Sequence, residues 1–200
     1  MLRKTASILG TVLLLAVAAD VNAALVVDTG NPTGSGFPLA LDGTDWLAGQ
    51  VQLTSASQID AVKGYITGAN AGDSFTISLY NDSSNHVGSW ISSAGATFGA
   101  DGWNGVTGQA WNVGPGKYWL ALEVQGSDTM AFGTAPLGAP SPLALTAFNA
   151  GSGYQNYPMS FGLQVNATPT APVPEPETYA MMLAGLGLIG FTLRRRNKVA

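Results

Sequence analysis

Cysteine is absent from this 200-residue sequence, and histidine occurs only once. Without cysteine the chain has no disulfides, thiolate zinc sites, iron–sulfur clusters or cysteine nucleophiles. The one histidine, His86, cannot build a metal site of several imidazoles, and no G-x-S-x-G motif is present to pair it with a serine nucleophile. Because Asn and Ser surround it, we predict that His86 is a solvated turn residue.

Charge is also scarce, at 10% of the residues against the ~25% that is usual in soluble proteins. Six of the eight basic residues lie near the two ends of the chain. Residues 24–177 contain only Lys63 and Lys117 against eleven acids, a net charge of −9. Such a surface repels phosphate backbones, which argues against nucleic-acid binding by this region.

The first 23 residues have the three parts of a secretory signal peptide. Arg3 and Lys4 give a positive start, residues 8–19 are apolar, and residues 21–23 (VNA) form a cleavage site. We expect export through the Sec translocon and cleavage by signal peptidase after Ala23. The alternative is an uncleaved anchor helix, which the shortness of the apolar run and the good cleavage site both disfavour.

The last part of the chain combines a proline-rich spacer, an apolar run and a basic end. Alternating prolines in residues 168–178 hold the chain extended and outside any core. Residues 179–200 then predict a short single transmembrane helix with a basic tail. Its fifteen apolar residues, 179–193, span roughly 22 Å at ~1.5 Å per residue, less than the ~30 Å of bilayer hydrocarbon. Three arginines should stay cytoplasmic and orient this helix: Arg194, Arg195 and Arg196.

The tail has three parts in a fixed order. They are the tripeptide Pro174, Glu175 and Pro176, a short glycine-rich apolar helix, and the arginine cluster. Over about residues 172–196 this order resembles the PEP-CTERM protein-sorting tail of Gram-negative bacteria. The resemblance implies that an exosortase, a membrane protease or transpeptidase, recognises the tripeptide and cleaves near it. It also implies a transient hold in the membrane, then delivery to the outer surface in species that make extracellular polysaccharide. The alternative is an ordinary C-terminal membrane anchor.

No cofactor is predicted. The residues GLGLIG at 185–190 fit the G-x-G-x-x-G pattern of dinucleotide binding, but that pattern requires a preceding strand and an acidic residue about 20 positions later. The chain ends ten residues on, in a basic tail. These glycines more simply give the helix a smooth face for packing against another membrane helix.

Residues 24–167 read as one all-β domain. Alternation of apolar and polar residues with period two, as in SFTISLY and YWLALEV, is typical of strands in a sheet with one wet face. About eight strands between turn-forming stretches favour an antiparallel β-sandwich of jelly-roll or immunoglobulin-like type. Segments 66–82, 116–124 and 138–148 are similar to the body of a subset of PEP-CTERM proteins that has no assigned activity. The predicted strands cover residues 47–53, 58–66, 74–80, 87–91, 108–112, 118–124, 143–148 and 159–165.

Few residues of this domain are candidates for chemistry. Most acids lie in predicted turns. Glu123 lies within a predicted strand, on the face opposite Leu122, and should be a solvated residue of the polar face. We therefore predict no catalytic pair and no metal site with ligands that can be named. Of the five tryptophans, most should fill the core, and Trp103, in a Gly-flanked turn, is the candidate for stacking on a sugar ring.

The sequence thus predicts an exported protein that is not an enzyme, sorted to the outer surface or extracellular matrix. Its expected role is structural or adhesive, linked to exopolysaccharide and biofilm. The alternative is a carbohydrate- or calcium-binding β-sandwich module. Coplanar exposed aromatic rings on one sheet face would favour sugar binding, and a loop cluster of three or more acids would favour calcium.

Overall fold

The computed structural model describes residues 23–34, 38–170 and 182–186. These residues form twelve β-strands and one short helix, at 182–186. The strands are β1 (Ala24–Asp28), β2 (Leu39–Leu41), β3 (Asp45–Leu53), β4 (Ser57–Ile66), β5 (Ser74–Asp82), β6 (Val87–Thr97), β7 (Gly102–Val113), β8 (Gly116–Glu123), β9 (Gly133–Ala135), β10 (Thr146–Ala150), β11 (Tyr154–Asn156) and β12 (Leu163–Pro169).

The strands form two large antiparallel sheets and one small one. The four-stranded sheet has the order β1-β12-β4-β7, and the six-stranded sheet has the order β11-β10-β3-β8-β5-β6. Strands β2 and β9 pair in a small two-stranded sheet. The all-β, antiparallel prediction is therefore confirmed.

One hydrophobic core joins the two large sheets in a sandwich-like arrangement. The six-stranded sheet contributes fully buried side chains such as Phe75, Ile77 and Leu122, and the four-stranded sheet contributes Ile59 and Val165. This pattern follows from the period of two, which turns every second residue of β5 and β8 toward the other sheet. Each such side chain stabilises the fold by roughly 1.5–3 kcal/mol through burial.

Two glycines of the four-stranded sheet permit close packing. A Cβ on Gly64 of β4 would overlap Leu122 Cδ1 of the facing sheet. A Cβ on Gly105 of β7 would overlap the backbone oxygen of Val62 and lie 2.7 Å from Lys63 Cα. The absence of a side chain at Gly64 lets the two large sheets approach each other, and its absence at Gly105 lets β7 lie against β4.

All eight predicted strands overlap strands of the structure. Strands β1, β2, β9 and β11, of three to five residues each, were not predicted. Gly102, assigned to a turn, is the first residue of β7.

The two ends are mostly outside the described residues. Residues 1–22 of the predicted signal peptide fall there, as do residues 171–181 and 187–200 of the predicted spacer, helix and tail. Within the predicted transmembrane helix, the described residues 182–186 are helical. Nowhere in the described ranges does a helix have the length and hydropathy needed to cross a membrane.

Candidate functional site

The face of the six-stranded sheet that points away from the core, called here the outer face, carries the most unusual chemistry of the domain. On β8, Trp119, Ala121 and Glu123 alternate with the core residues Leu120 and Leu122 and so lie on this outer face. All three are nevertheless fully buried. Trp119 and Ala121 belong to a second, smaller hydrophobic cluster together with Ala48 and Ala147. The side chains packed against this cluster are Tyr80, Val87, Leu145 and Tyr154.

Glu123 lies at the centre of a hydrogen-bond network on this face. One carboxylate oxygen, Oε1, accepts hydrogen bonds from the hydroxyls of Tyr80 at 2.8 Å and Tyr154 at 2.6 Å. The other, Oε2, accepts from Ser78 Oγ at 2.5 Å and from Gln125 Nε2 at 3.0 Å. The prediction of a solvated Glu123 was wrong, although its position on the face opposite Leu122 was right.

The covering of Glu123 comes from the far edge of its own sheet. By register, Tyr154 of β11 lies beside Asn149 of β10, which lies beside Trp46 of β3, the neighbour of Glu123. Three strand spacings of ~4.8 Å put the backbones of Tyr154 and Glu123 roughly 14 Å apart along a flat sheet. The long side chains of Tyr154 and Glu123 together span this distance, since their terminal oxygens are 2.6 Å apart, and Tyr154 thereby lies across the outer face and covers Glu123.

Both tyrosines are held in their protonated form. Burial raises the pKa of Tyr80 and of Tyr154, and the negative charge of Glu123 raises each pKa further. Each hydroxyl therefore keeps its proton and donates a hydrogen bond to the carboxylate. The arrangement fits a buried structural anchor, since every hydroxyl that reaches Glu123 is a donor.

A second carboxylate, Asp82, anchors the other end of the outer face. Its Oδ1 accepts from Gln50 Nε2 at 2.6 Å and from Trp119 Nε1 at 2.9 Å, and its Oδ2 accepts from the Asn85 backbone N–H at 3.0 Å. Burial raises the pKa of Asp82, but the hydrogen bonds from Asn85, Trp119 and Gln50 and the charge of Lys117 outweigh it, so the pKa is lowered. Asp82 is therefore ionised at neutral pH, where it holds Trp119 and the β5–β6 turn in place.

These two acids are too far apart to act as a hydrolytic pair. Glu123 lies beside Thr76 in the sheet, and Asp82 is six residues further along β5. At ~3.3 Å per residue the backbones are roughly 20 Å apart, whereas glycoside hydrolysis needs carboxylates about 5–9.5 Å apart. Within the described ranges, no three side chains of His, Asp or Glu come together in a group that could hold a metal ion.

Aromatic side chains gather on the outer face but do not form a flat platform. The rings of Trp46 and Tyr154 are 6.3 Å apart and inclined at 49°, and those of Tyr80 and Tyr154 are 6.0 Å apart at 67°. Trp90 of β6 lies beside Tyr80 by register and is 59% exposed. Of these rings, Trp90 offers the most surface for contact with a ligand.

Trp103, the predicted sugar-stacking residue, lies elsewhere and is only partly exposed. It belongs to strand β7 of the four-stranded sheet and not to a turn. Its Nε1 donates to Asn31 Oδ1 at 2.9 Å, and its ring meets that of Tyr65 edge-on at 5.4 Å and 86°. The glycines near Trp103 favoured a turn at that position, whereas the structure has a strand there.

His86 is exposed, as predicted, in the turn between β5 and β6. Its Nδ1 lies 3.1 Å from the backbone oxygen of Ser84. In the described structure, no nucleophile and acid are arranged around His86 as they are in a catalytic triad.

Comparison with known families settles what the end of the chain is. A family model described as the PEP-CTERM protein-sorting motif matches residues 172–196. The chain carries a PEP-CTERM sorting signal. The match has the same bounds as the resemblance seen in the sequence, and it implies an exported protein with a membrane-anchored C-terminal signal for exosortase processing.

The PEP-CTERM match covers the tail and does not extend into the β body. A search of curated proteins returns no match to the chain. The recognition and orientation residues of the tail lie outside the described residues: Pro174, Glu175, Pro176, Arg194, Arg195 and Arg196.

Proposed function

We propose that this chain is a non-enzymatic surface protein, sorted by an exosortase, whose β body has a structural or adhesive role in extracellular polysaccharide. The match of the PEP-CTERM motif to residues 172–196 is the observation that carries the proposal. After signal peptidase cleaves behind Ala23, the tail holds the protein in the inner membrane with its arginines cytoplasmic. Exosortase then cleaves near Pro174–Pro176 and releases the body toward the outer surface or matrix.

The body is suited to a structural role because its polar groups bond to one another. Every buried side-chain nitrogen and oxygen in the described residues has a hydrogen-bond partner. Glu123 and Asp82, which would otherwise be candidates for chemistry, are occupied by donors from four strands, the β5–β6 turn and the loop after β8. Such networks, when every member is bonded, make a domain rigid.

We further infer that the body is a jelly roll, and not an immunoglobulin-like sandwich. The support is a nested order of strand pairs: β5 with β6, β4 with β7, β3 with β8 and β1 with β12. A long hairpin wound around a core produces this order, with successive pairs alternating between the two sheets. Strands β10 and β11 extend the six-stranded sheet beyond this plan.

The sorting proposal is tested by changing Pro174, Glu175 and Pro176 to alanine in the full-length protein. Without the tripeptide, exosortase has no recognition sequence, so the protein should stay in the membrane fraction at its uncleaved mass. The matched control is Glu177→Ala, which removes the adjacent carboxylate and should be released normally. Normal release of the triple variant would contradict the proposal.

A carbohydrate-binding module is the second candidate, and the exposure of Trp90 favours it. An indole face that is 59% exposed can stack on a sugar ring. If the body binds polysaccharide in this way, Trp90→Ala should weaken retention on immobilised exopolysaccharide about tenfold, as expected for ~1–1.5 kcal/mol of lost stacking. Trp103→Ala, whose ring packs on Tyr65, is the control and should retain binding; equal loss in both variants would argue against Trp90 as the platform.

A further inference from the structure

Tyr80 and Tyr154 direct their hydroxyls at the same oxygen atom. Both donate to Glu123 Oε1, at 2.8 Å and 2.6 Å, and their ring centroids are 6.0 Å apart. Among the described residues, no other two tyrosines have their rings in contact. Because both hydroxyls meet at one atom, the hydroxyl-bearing ends of the two rings are brought together.

This arrangement resembles the bonding in an oxidatively coupled pair of tyrosines. In dityrosine, a carbon–carbon bond joins the ring carbons next to the two hydroxyls, so the hydroxyls lie side by side. Two phenols that share one acceptor are already oriented in this way. Joined rings are twisted about their bond, and the rings of Tyr80 and Tyr154 are inclined at 67°. Coupling therefore requires the two rings to approach each other without turning round.

Glu123 supplies the base that oxidation of a buried phenol requires. A phenol that loses one electron becomes strongly acidic, and its proton must pass to a base within hydrogen-bond reach. Glu123 is fully buried and accepts from both hydroxyls, so this base is in place before the electron leaves. Burial and the charge of Glu123 raise the pKa of both tyrosines, so neither proton leaves by itself.

Two tryptophans lie beside the tyrosine pair and connect it to the surface. Trp90, which is 59% exposed, is the register neighbour of Tyr80, and such neighbours have Cβ atoms about 4.5–5.5 Å apart. The ring of Trp46 is 6.3 Å from that of Tyr154. Aromatic rings this close exchange electrons readily. An oxidant that reaches Trp90 from solvent can therefore draw an electron from the half-buried Tyr80.

We propose that Tyr80 and Tyr154 are an oxidative coupling site, where one-electron oxidants of the peroxidase class join the two rings and Glu123 accepts the protons. Each tyrosine gives one electron to the oxidant and its hydroxyl proton to Glu123, which releases that proton to water before it accepts the next. The two radicals couple at the ring carbons next to the hydroxyls, and the hydrogen on each of these carbons moves to oxygen as the phenols re-form. In total, two tyrosines and one hydrogen peroxide give one dityrosine and two waters.

The bond would link strands that are far apart in the sheet. Tyr80 lies in β5 and Tyr154 in β11, with β8, β3 and β10 between them. A cross-link that closes a long loop stabilises a fold by limiting the unfolded chain. Exported proteins usually obtain such links from disulfides, and this chain has no cysteine. The coupled protein should therefore unfold at a higher denaturant concentration than the untreated protein.

The experiment treats the purified full-length protein, in dilute solution, with hydrogen peroxide and a haem peroxidase. Mass spectrometry of the digested monomer should show one main cross-linked peptide pair, which contains Tyr80 and Tyr154 and is two hydrogens lighter than the separate peptides. The fluorescence of dityrosine should appear in the monomer. If exposure alone governed coupling, Tyr157, which is 53% exposed, would react first and join two copies of the chain. Products linked through Tyr157, or dimers as the main product, would overturn the proposal.

Matched variants test the role of each group. Tyr154→Phe and Tyr80→Phe each keep the ring and remove the phenol, so either should abolish the cross-linked peptide, whereas Tyr157→Phe should leave its yield unchanged. Glu123→Gln keeps an oxygen acceptor of the same size but is a much weaker base, so coupling should slow at least several-fold. A cross-link at full yield in Tyr154→Phe would overturn the site, and an unchanged rate in Glu123→Gln would overturn the role of Glu123.

The coupling site is independent of the sorting proposal. The alanine triple at Pro174–Pro176 changes the tail and leaves Glu123 and both tyrosines in place, so that variant should couple at the same rate. Absence of the cross-link in a protein that is sorted normally would overturn the coupling site alone. Normal release of the triple variant, with the cross-link formed as expected, would overturn the sorting proposal alone.

Discussion

Replacing Glu123 with alanine should lower the free energy of unfolding by roughly 3–5 kcal/mol. The substitution removes the acceptor for four donors, those of Ser78, Tyr80, Tyr154 and Gln125. A buried donor left without a partner costs about 1–3 kcal/mol, and bonds to a charged acceptor are the stronger ones. Denaturant unfolding followed by tryptophan fluorescence would measure the loss.

Two tyrosine variants serve as matched controls for the Glu123 network. Tyr154→Phe removes one hydroxyl that donates to Glu123 and should cost about 1–2 kcal/mol, since a bond to a charged acceptor is lost. Tyr157→Phe makes the same chemical change three residues later on a side chain that is 53% exposed, and it should be near neutral. Equal effects in the two variants, or a neutral Glu123→Ala, would show that the network around Glu123 does not stabilise the fold.

Gly105→Ala should destabilise the protein by about 2–4 kcal/mol. The added methyl group would overlap the backbone oxygen of Val62 and lie 2.7 Å from Lys63 Cα. Backbone atoms cannot rotate away as a flexible side chain can, so β4 and β7 would have to separate where Lys63 faces Gly105. Strand β7 is an edge strand of the four-stranded sheet and pairs with β4 alone in that sheet, so the strain should also weaken the neighbouring residue pairs of these two strands.

Gly95→Ala is the matched control for Gly105→Ala. It makes the same change in a strand, but a Cβ at Gly95 has no heavy atom within 4 Å. An alanine there should be neutral or stabilising by up to about 1 kcal/mol, because glycine loses more backbone entropy on folding. Thermal or denaturant unfolding of the two variants side by side gives the comparison, and a Gly105→Ala protein as stable as Gly95→Ala would contradict the packing described.

Local patterns made the strands predictable, while the outer face depended on contacts distant in sequence. The alternation in Ser74–Tyr80 and in β8 identified both strands and the face that Glu123 occupies. Its burial could not be predicted, because the covering Tyr154 lies 31 residues later and comes near it only through the strand order of the sheet. A strand alone shows which side a residue faces, and tertiary structure decides whether that side meets water.

The tryptophans show the same limit. Trp103 was predicted to be exposed from the glycines beside it, yet Asn31, 72 residues earlier in the chain, bonds to its indole nitrogen. Trp90 is exposed because its strand is at a sheet edge, and strand order is a property of the whole fold. The sorting tail was predictable from sequence because its three parts follow one another within about 25 residues and need no tertiary contact.

The central claim is that an exosortase processes this protein at its PEP-CTERM tail, and the intact mass of the protein recovered from outside the cell tests it most directly. The predicted mature chain begins at Ala24 and ends within or next to residues 172–178, so it lacks Arg194–Arg196. Deleting the host's exosortase should abolish this species and leave the full tail in the membrane fraction. A released protein that still ends at Ala200, or the same truncated mass in the strain without exosortase, would contradict the account.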